Sequence, residues 1–125
     1  MAKSVLAQAG FADTELDTAL GVSYGESGGY SDAVGDLALM TDKWGPSIGL
    51  FQIRSLRHPE LYAGTPDALR DAEKLLDPVY NARVALELQR WLGWRLWTVW
   101  RNNPDITHDD YEILTGHERA HLWNS

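Results

Sequence analysis

Tyr24-Gly25-Glu26-Ser27-Gly28-Gly29, followed by Gly45-Pro46-Ser47-Ile48-Gly49-Leu50-Phe51-Gln52-Ile53, are the two stretches whose reading decides the fold. Leu16, Ala19, Leu20, Val22 and Ser23 recur on one side of a helix that Gly28-Gly29 stops. Glu26 comes four residues after Val22 and seven after Ala19, so it shares that side near the helix end. Burial disfavours the charged form of a carboxyl, and an acid kept protonated at neutral pH is a general acid. No Lys or Arg stands within a helical turn of Glu26 in the sequence to form a salt bridge. Gly25, Gly28 and Gly29 are expected to leave its carboxyl open to a bulky ligand. The plainer alternative is a solvated glutamate at a helix end, the commoner fate of this residue type.

Outward from this pair, residues 4–11 read as a short helix ending near Gly10. Thr14 reads as the N-cap of the Glu26 helix, with Asp17 three residues on. Turn residues dominate between Tyr30 and Ile53, around two short apolar pieces at residues 37–40 and 48–53 that read as extended. Gly49 within the second piece signals the close approach of a backbone or ligand. Thr65-Pro66 opens a helix expected to reach Leu76, and Asp77-Pro78 opens another that Gly93 ends. The latter carries Val79, Ala82, Ala85, Leu86, Leu88 and Leu92 as its apolar face. After Pro104 the chain turns polar, with one short helix expected from Asp109 or Asp110 to His121.

Composition narrows the function. The chain has 125 residues, a single-domain length with enough material for a core. Eleven Lys and Arg against 18 Asp and Glu give a net charge of −7, which argues against nucleic acid and anionic membrane surfaces as partners. With no cysteine, disulfides, thiol nucleophiles and thiolate metal sites drop out. No apolar run of signal-peptide or membrane-spanning length is present.

The blocks around Glu26 carry a resemblance. In order they are Glu26-Ser27-Gly28-Gly29, Ala33-Val34-Gly35-Asp36, Trp44 to Ile53, Leu76-Asp77-Pro78 with Tyr80-Asn81-Ala82, and Gly93-Trp94 with Trp97-Thr98. Over residues 14–102 the chain resembles the lysozyme-like domain of lytic transglycosylases and goose-type lysozymes, in its phage and actinobacterial form. The resemblance implies an α+β, mostly α-helical, lysozyme-like fold with a small extended or β region after the catalytic helix. It implies a cleft for peptidoglycan glycan strands, cleaved at the β-1,4 bond between N-acetylmuramic acid and N-acetylglucosamine. Glu26 falls on the family's catalytic acid, Ser47 and Gln52 on polar cleft groups, Asn81 on a bracing asparagine, and Trp97 and Thr98 on the far wall; Ser47, Gln52, Asn81, Trp97, Thr98 and Trp100 are the substrate-binding residues the resemblance implies. No metal or organic cofactor is implied. Trp100 stands where the family often has a tyrosine, and an indole N–H donates but cannot accept.

Hydrolysis needs a second carboxylate to position water, and transglycosylation does not. Asp36 is the best placed by sequence, ahead of Asp32 and Asp42, although its ordinary reading is a turn aspartate. Sequence alone therefore tilts toward Glu26 working alone and toward transglycosylation. Among the tryptophans, Trp91 and Trp94 read as core, and Trp44 and Trp97 as faces for sugar. Arg54, Arg57 and His58 read as a solvated loop or as contacts to a muramyl carboxylate. His117-Glu118-Arg119-Ala120-His121 spells a zinc-protease motif, but only four residues follow it and no strand is evident beside it.

These readings give a lysozyme-like domain over residues 1–103 and a polar extension over 104–125. The expected role is a phage endolysin or virion-associated lysin acting on peptidoglycan, with virion proteins as further partners. It would work at the cell wall from the virion or the host cytoplasm, with no signal peptide. The alternative is a virion structural protein that keeps the fold as an interaction module with little activity.

Overall fold

The computed structural model describes residues 1–116. Its helices are α1 (Ala2–Ala9), α2 (Leu16–Ser27), α3 (Pro78–Leu92) and α4 (Thr98–Asn102). A three-stranded antiparallel sheet in the order β1 (Val34–Gly35), β2 (Trp44–Ile48), β3 (Ile53–Leu56) follows α2. This is the mostly helical α+β architecture expected of a lysozyme-like domain. α1 packs on α2 and α3, and Leu6, Leu20, Val22, Phe51, Leu75, Val84 and Leu88 fill the core between the helices and the sheet.

Local chemistry fixes most helix ends. Gly10 closes α1 and Gly28 closes α2, both in the left-handed conformation that costs a Cβ-bearing residue most. Asp77 caps α3 by accepting hydrogen bonds from the N–H groups of Val79 and Tyr80, with Pro78 at the first helical position. The start of α2 differs from the expected Thr14 cap. A 3-10 turn (Asp13–Glu15) precedes it, and Glu15 reaches back 3.0 Å to the Ala12 N–H. Glu15 therefore does the capping, and Arg90 of α3 holds it in place.

Three further expectations are corrected. Residues 37–40 are not extended: Leu37–Leu39 form an exposed 3-10 turn. The helix expected from Thr65-Pro66 is two short 3-10 turns, Pro66–Leu69 and Lys74–Leu76. Residues 48–53 are not one extended piece but a hairpin, β2–β3, whose turn at residues 49–52 points inward.

That inward turn is the unusual part of the fold. Leu50 and Phe51 at its tip are 0% exposed, so its backbone groups cannot reach water. Asn81 of α3 substitutes for water. Its side chain accepts from the Phe51 N–H (2.9 Å) and donates to the carbonyls of Ile48 (2.8 Å) and Leu75 (2.9 Å). The Trp97 indole N–H donates to the Phe51 carbonyl at 2.9 Å. Gly49, at φ 79°, leaves room for this: a Cβ there would sit 2.4 Å from Asn81 Nδ2. The close approach signalled by Gly49 is thus that of α3.

Residues 104–116 run back across α2. The helix expected from Asp109 or Asp110 does not form over residues 109–115, and residues 117–121 lie outside the described residues. Thr107 crosses α2 at Gly21, where an added Cβ would come within 2.8 Å of its backbone. The Tyr111 N–H and side chain are tied down as well, and its hydroxyl meets Ser23 Oγ at 2.6 Å. Burial pushes the Tyr111 phenol up to about 12. Leu114 then pairs with Tyr30, donating to Gly29 and accepting from Ser31. Polar composition after Pro104 hid three apolar anchors, Ile106, Tyr111 and Ile113, which pack on the core. Among the described residues no helix is long and apolar enough to cross a membrane.

Candidate active site

Glu26 lies in the last turn of α2, at the edge of the apolar stripe where core gives way to a cleft of about 430 Å³. The stripe buries Ala19, Leu20, Val22 and Ser23, and Glu26 is half-buried one turn later. α4 closes over it: Val99 packs so tightly on Gly25 that an added Cβ would come within 2.6 Å of its side chain. Gly25 and Gly29 thus admit Val99 and Tyr111 rather than a ligand, which corrects their expected role.

The Glu26 carboxyl is raised above the ordinary glutamate range, chiefly because burial strips water from its charged form. The Val99 N–H opposes this, the negative charge of Asp36 adds to it, and Arg101 opposes it more weakly. Arg101, from α4, is the nearby cation that no local spacing could reveal. It is tied to the Arg95 carbonyl and to Thr98 Oγ1.

Asp36 and Gln52 face the cleft with Glu26. Among the described residues they are the two non-glycine residues with positive φ, 58° and 49°. Such backbones are sparsely populated and persist where the surroundings over-determine them, often at functional sites. Ser47 Oγ donates to Asp36 Oδ2 at 2.6 Å, fixing the direction of that carboxylate. Gln52 Nε2 donates to the carbonyls of Ala33 and Gly49. Its amide therefore ties Ala33, just before β1, to the hairpin turn while lining the cleft.

Among the expected site residues, Glu26, Asp36, Ser47, Gln52, Trp97 and Thr98 come together in this cleft. Trp97 is 5% exposed and its N–H is committed to Phe51, so only an edge of the ring reaches a ligand. Asn81 does not line the cleft: it is 0% exposed, and every side-chain polar atom is bonded to the hairpin or its neighbours. Its expected contact with substrate is corrected to bracing. Trp100 packs against the core instead of lining the cleft. Trp91, read as core, is 49% exposed.

The sequence reading missed Arg70 and Leu96, and it left Arg54 between a solvated loop and a contact to a muramyl carboxylate; all three line the cleft. Arg54 lies on β3 directly opposite Ser47, a pairing no local pattern announces. Arg57 and His58 face a second concavity of about 480 Å³, which contains no buried acid and no strained non-glycine backbone. The His117-Glu118-Arg119-Ala120-His121 motif lies outside the described residues. Among those described, no group of three or more His, Cys, Asp or Glu is placed to hold a metal ion.

A half-buried carboxyl with a raised pKa, sharing a cleft with a second carboxylate, can protonate a leaving oxygen while that carboxylate stabilises cationic charge. Comparison with known families bears on which oxygen. A family model described as a lysozyme-like domain matches residues 3–99. No curated protein matches the chain.

Proposed function

The chain belongs to the lysozyme-like domain family, whose members degrade peptidoglycan, and on that premise we propose that Glu26 is its general acid in cleaving the β-1,4 bond between N-acetylmuramic acid and N-acetylglucosamine. The observation that carries this reading is the environment of Glu26: its half-burial raises the carboxyl above the ordinary glutamate range, yet it opens on the cleft. Protonated Glu26 gives its proton to the glycosidic oxygen, and the bond from that oxygen to the muramyl C1 breaks. The carbon left behind is oxocarbenium-like, and the negative charge of Asp36 stabilises it. Glu26, now a carboxylate, takes a proton from the attacking water, whose oxygen bonds to C1, and the acid is restored.

Water is the favoured acceptor because Asp36 supplies the second carboxylate that hydrolysis needs. This reverses the tilt of the sequence toward transglycosylation, in which the muramyl C6 hydroxyl would give a 1,6-anhydro end. The support is that Asp36 shares the cleft with Glu26 and is held by Ser47, as no ordinary turn aspartate requires. Asp36→Asn is therefore expected to lower the release of reducing ends about a hundredfold. An Asp36→Asn protein with native rates and anhydro ends would restore the single-carboxylate mechanism.

The pH profile follows from the same pair. Activity needs Glu26 protonated, so the rate should fall as pH rises through its raised pKa, giving an alkaline limb. Removing the Asp36 charge removes one upward influence on Glu26. The residual activity of Asp36→Asn should thus show its alkaline limb at lower pH than the native protein. Dye release from labelled peptidoglycan across pH 4 to 9 measures both limbs.

The biological setting that fits is a lysin delivered by or with a phage particle. A chain that binds cell-wall glycan but releases no products would instead favour an interaction module in a virion.

A further inference from the structure

Away from the acid, the cleft ends at Trp44, around which three cations gather. Lys43 Nζ lies 5.2 Å from the centre of the indole, the Arg54 guanidinium 5.7 Å and the Arg70 guanidinium 5.4 Å. Trp44 faces the cleft only because of a bulge. It is three residues before Ser47 on β2, so regular alternation would put the two side chains on opposite faces. The pairing with β3 shifts between Trp44 and Ser47, and both side chains line the cleft.

Arg54 is fixed in place. Its Nε donates to the Gly45 carbonyl at 2.7 Å and its Nη2 to the Leu39 carbonyl. Arg70 donates to Asp67 at 2.6 Å and, through Nη1, to the Arg54 carbonyl. That is one carboxylate for three cations. Neither Lys43 nor Arg54 has an acidic partner among the described residues. In a chain of net charge −7 acidic partners are abundant, yet among the described residues only Asp67 is paired here. Like charges repel at this range, and an indole face and backbone carbonyls offset that only in part.

We propose that this Trp44–Lys43–Arg54 end of the cleft is a subsite for a carboxylate of the muramyl unit, so that the protein selects anionic, muramyl-containing glycan over neutral N-acetylglucosamine polymer. The inference rests on the glycan-cleaving reading above. The indole lines the cleft wall where a sugar would pass, and the Arg54 guanidinium beside it offers its remaining N–H groups to the carboxylate. Two sources share that chemistry: the free lactyl group of a stem-free muramyl residue, and the carboxylates of an attached stem peptide.

The test is calorimetric binding in the Glu26→Gln background, which prevents turnover. Three probes are titrated: an N-acetylglucosamine tetramer, a stem-free tetramer alternating with N-acetylmuramic acid, and the same tetramer bearing stem peptides. Lys43→Gln, at an exposed position, should weaken binding of the anionic probes about threefold, and Arg54→Gln about tenfold. The neutral tetramer should bind both variants as it binds the parent. Loss on the stem-free probe assigns the lactyl carboxylate, and loss confined to the stem-bearing probe assigns the peptide. Equal loss on all three probes, or none with Lys43→Gln and Arg54→Gln both folded, overturns the subsite alone. Failure of the parent to bind any probe overturns the glycan reading and the subsite together.

Discussion

Glu26→Gln is expected to lower peptidoglycan cleavage at least about a thousandfold without unfolding the protein. The amide keeps the shape of the carboxyl and fills the same half-buried position, but it has no proton to give and cannot take one back. Its effect on stability runs in the opposite direction from its effect on activity. The folded state holds the Glu26 proton more tightly than the unfolded state, because burial raises the carboxyl above its ordinary value. The resulting stabilisation is complete at pH below the unfolded pKa, near 4.5, and is lost as pH rises through the raised folded pKa. At pH 7 native Glu26 is thus a burden that the neutral glutamine does not carry. A melting temperature at pH 7 equal to or above native, together with lost activity, is the expected pair of results. Native-like activity would remove Glu26 from the chemistry; collapse of the fold would mean that its carboxylate is structural.

Asn81→Ala should show the reverse pattern, a large loss of stability at a residue that touches no substrate. The substitution orphans the Phe51 N–H and withdraws the donors to the Ile48 and Leu75 carbonyls, all in the interior. Leaving such groups unsatisfied costs about 3 kcal/mol, or about 10 °C in melting temperature for a domain of this size. Cleavage should fall too, because the turn that Asn81 holds carries Gln52 and leads into β3. Asn81→Asp separates the terms. It keeps an acceptor for Phe51 but loses the donor amide, and it buries a carboxyl. It should be no more stable than the alanine variant. Thermal unfolding followed by circular dichroism measures all three proteins; an Asn81→Ala melt within about 2 °C of native would refute the bracing role.

Much of this molecule was legible where chemistry is local. Asp77-Pro78 and Gly93 bound α3 because a cap, a ring-locked φ and a positive-φ glycine stop act over a few residues. Glu26 could be assigned to a buried edge because helical period alone carries the stripe from Ala19 through Val22. The hairpin turn was not legible. An apolar run such as Ile48 to Ile53 looks extended, and what lets it turn inward is an asparagine 33 residues from Ile48 and an indole 46 residues from Phe51. Trp91 and Trp97 could not be told apart by spacing, since only the acceptor at Phe51 makes one of them buried.

The same distinction separates the two halves of the cleft. Glu26, Ser47 and Gln52 stand in compact motifs, whereas Arg70 reaches Trp44 from a distant 3-10 turn and a bulge re-aims Trp44 itself. The crossing of residues 104–116 over α2 left one faint trace. Gly21, Gly25 and Gly29 recur every four residues, marking a face on which something must pack closely. Gly25 and Gly29, read with Gly28 as an opening for ligand, instead seat Val99 and Tyr111, and Gly21 seats Thr107.

Mass spectrometry of the fragments released from purified peptidoglycan by the native protein bears most directly on the central claim. Muropeptides ending in reducing N-acetylmuramic acid, absent from a parallel digest with Glu26→Gln, are the predicted result. Native protein that releases no fragments, or the same fragments from both proteins, would contradict the assignment of Glu26 as the acid that cleaves the glycan.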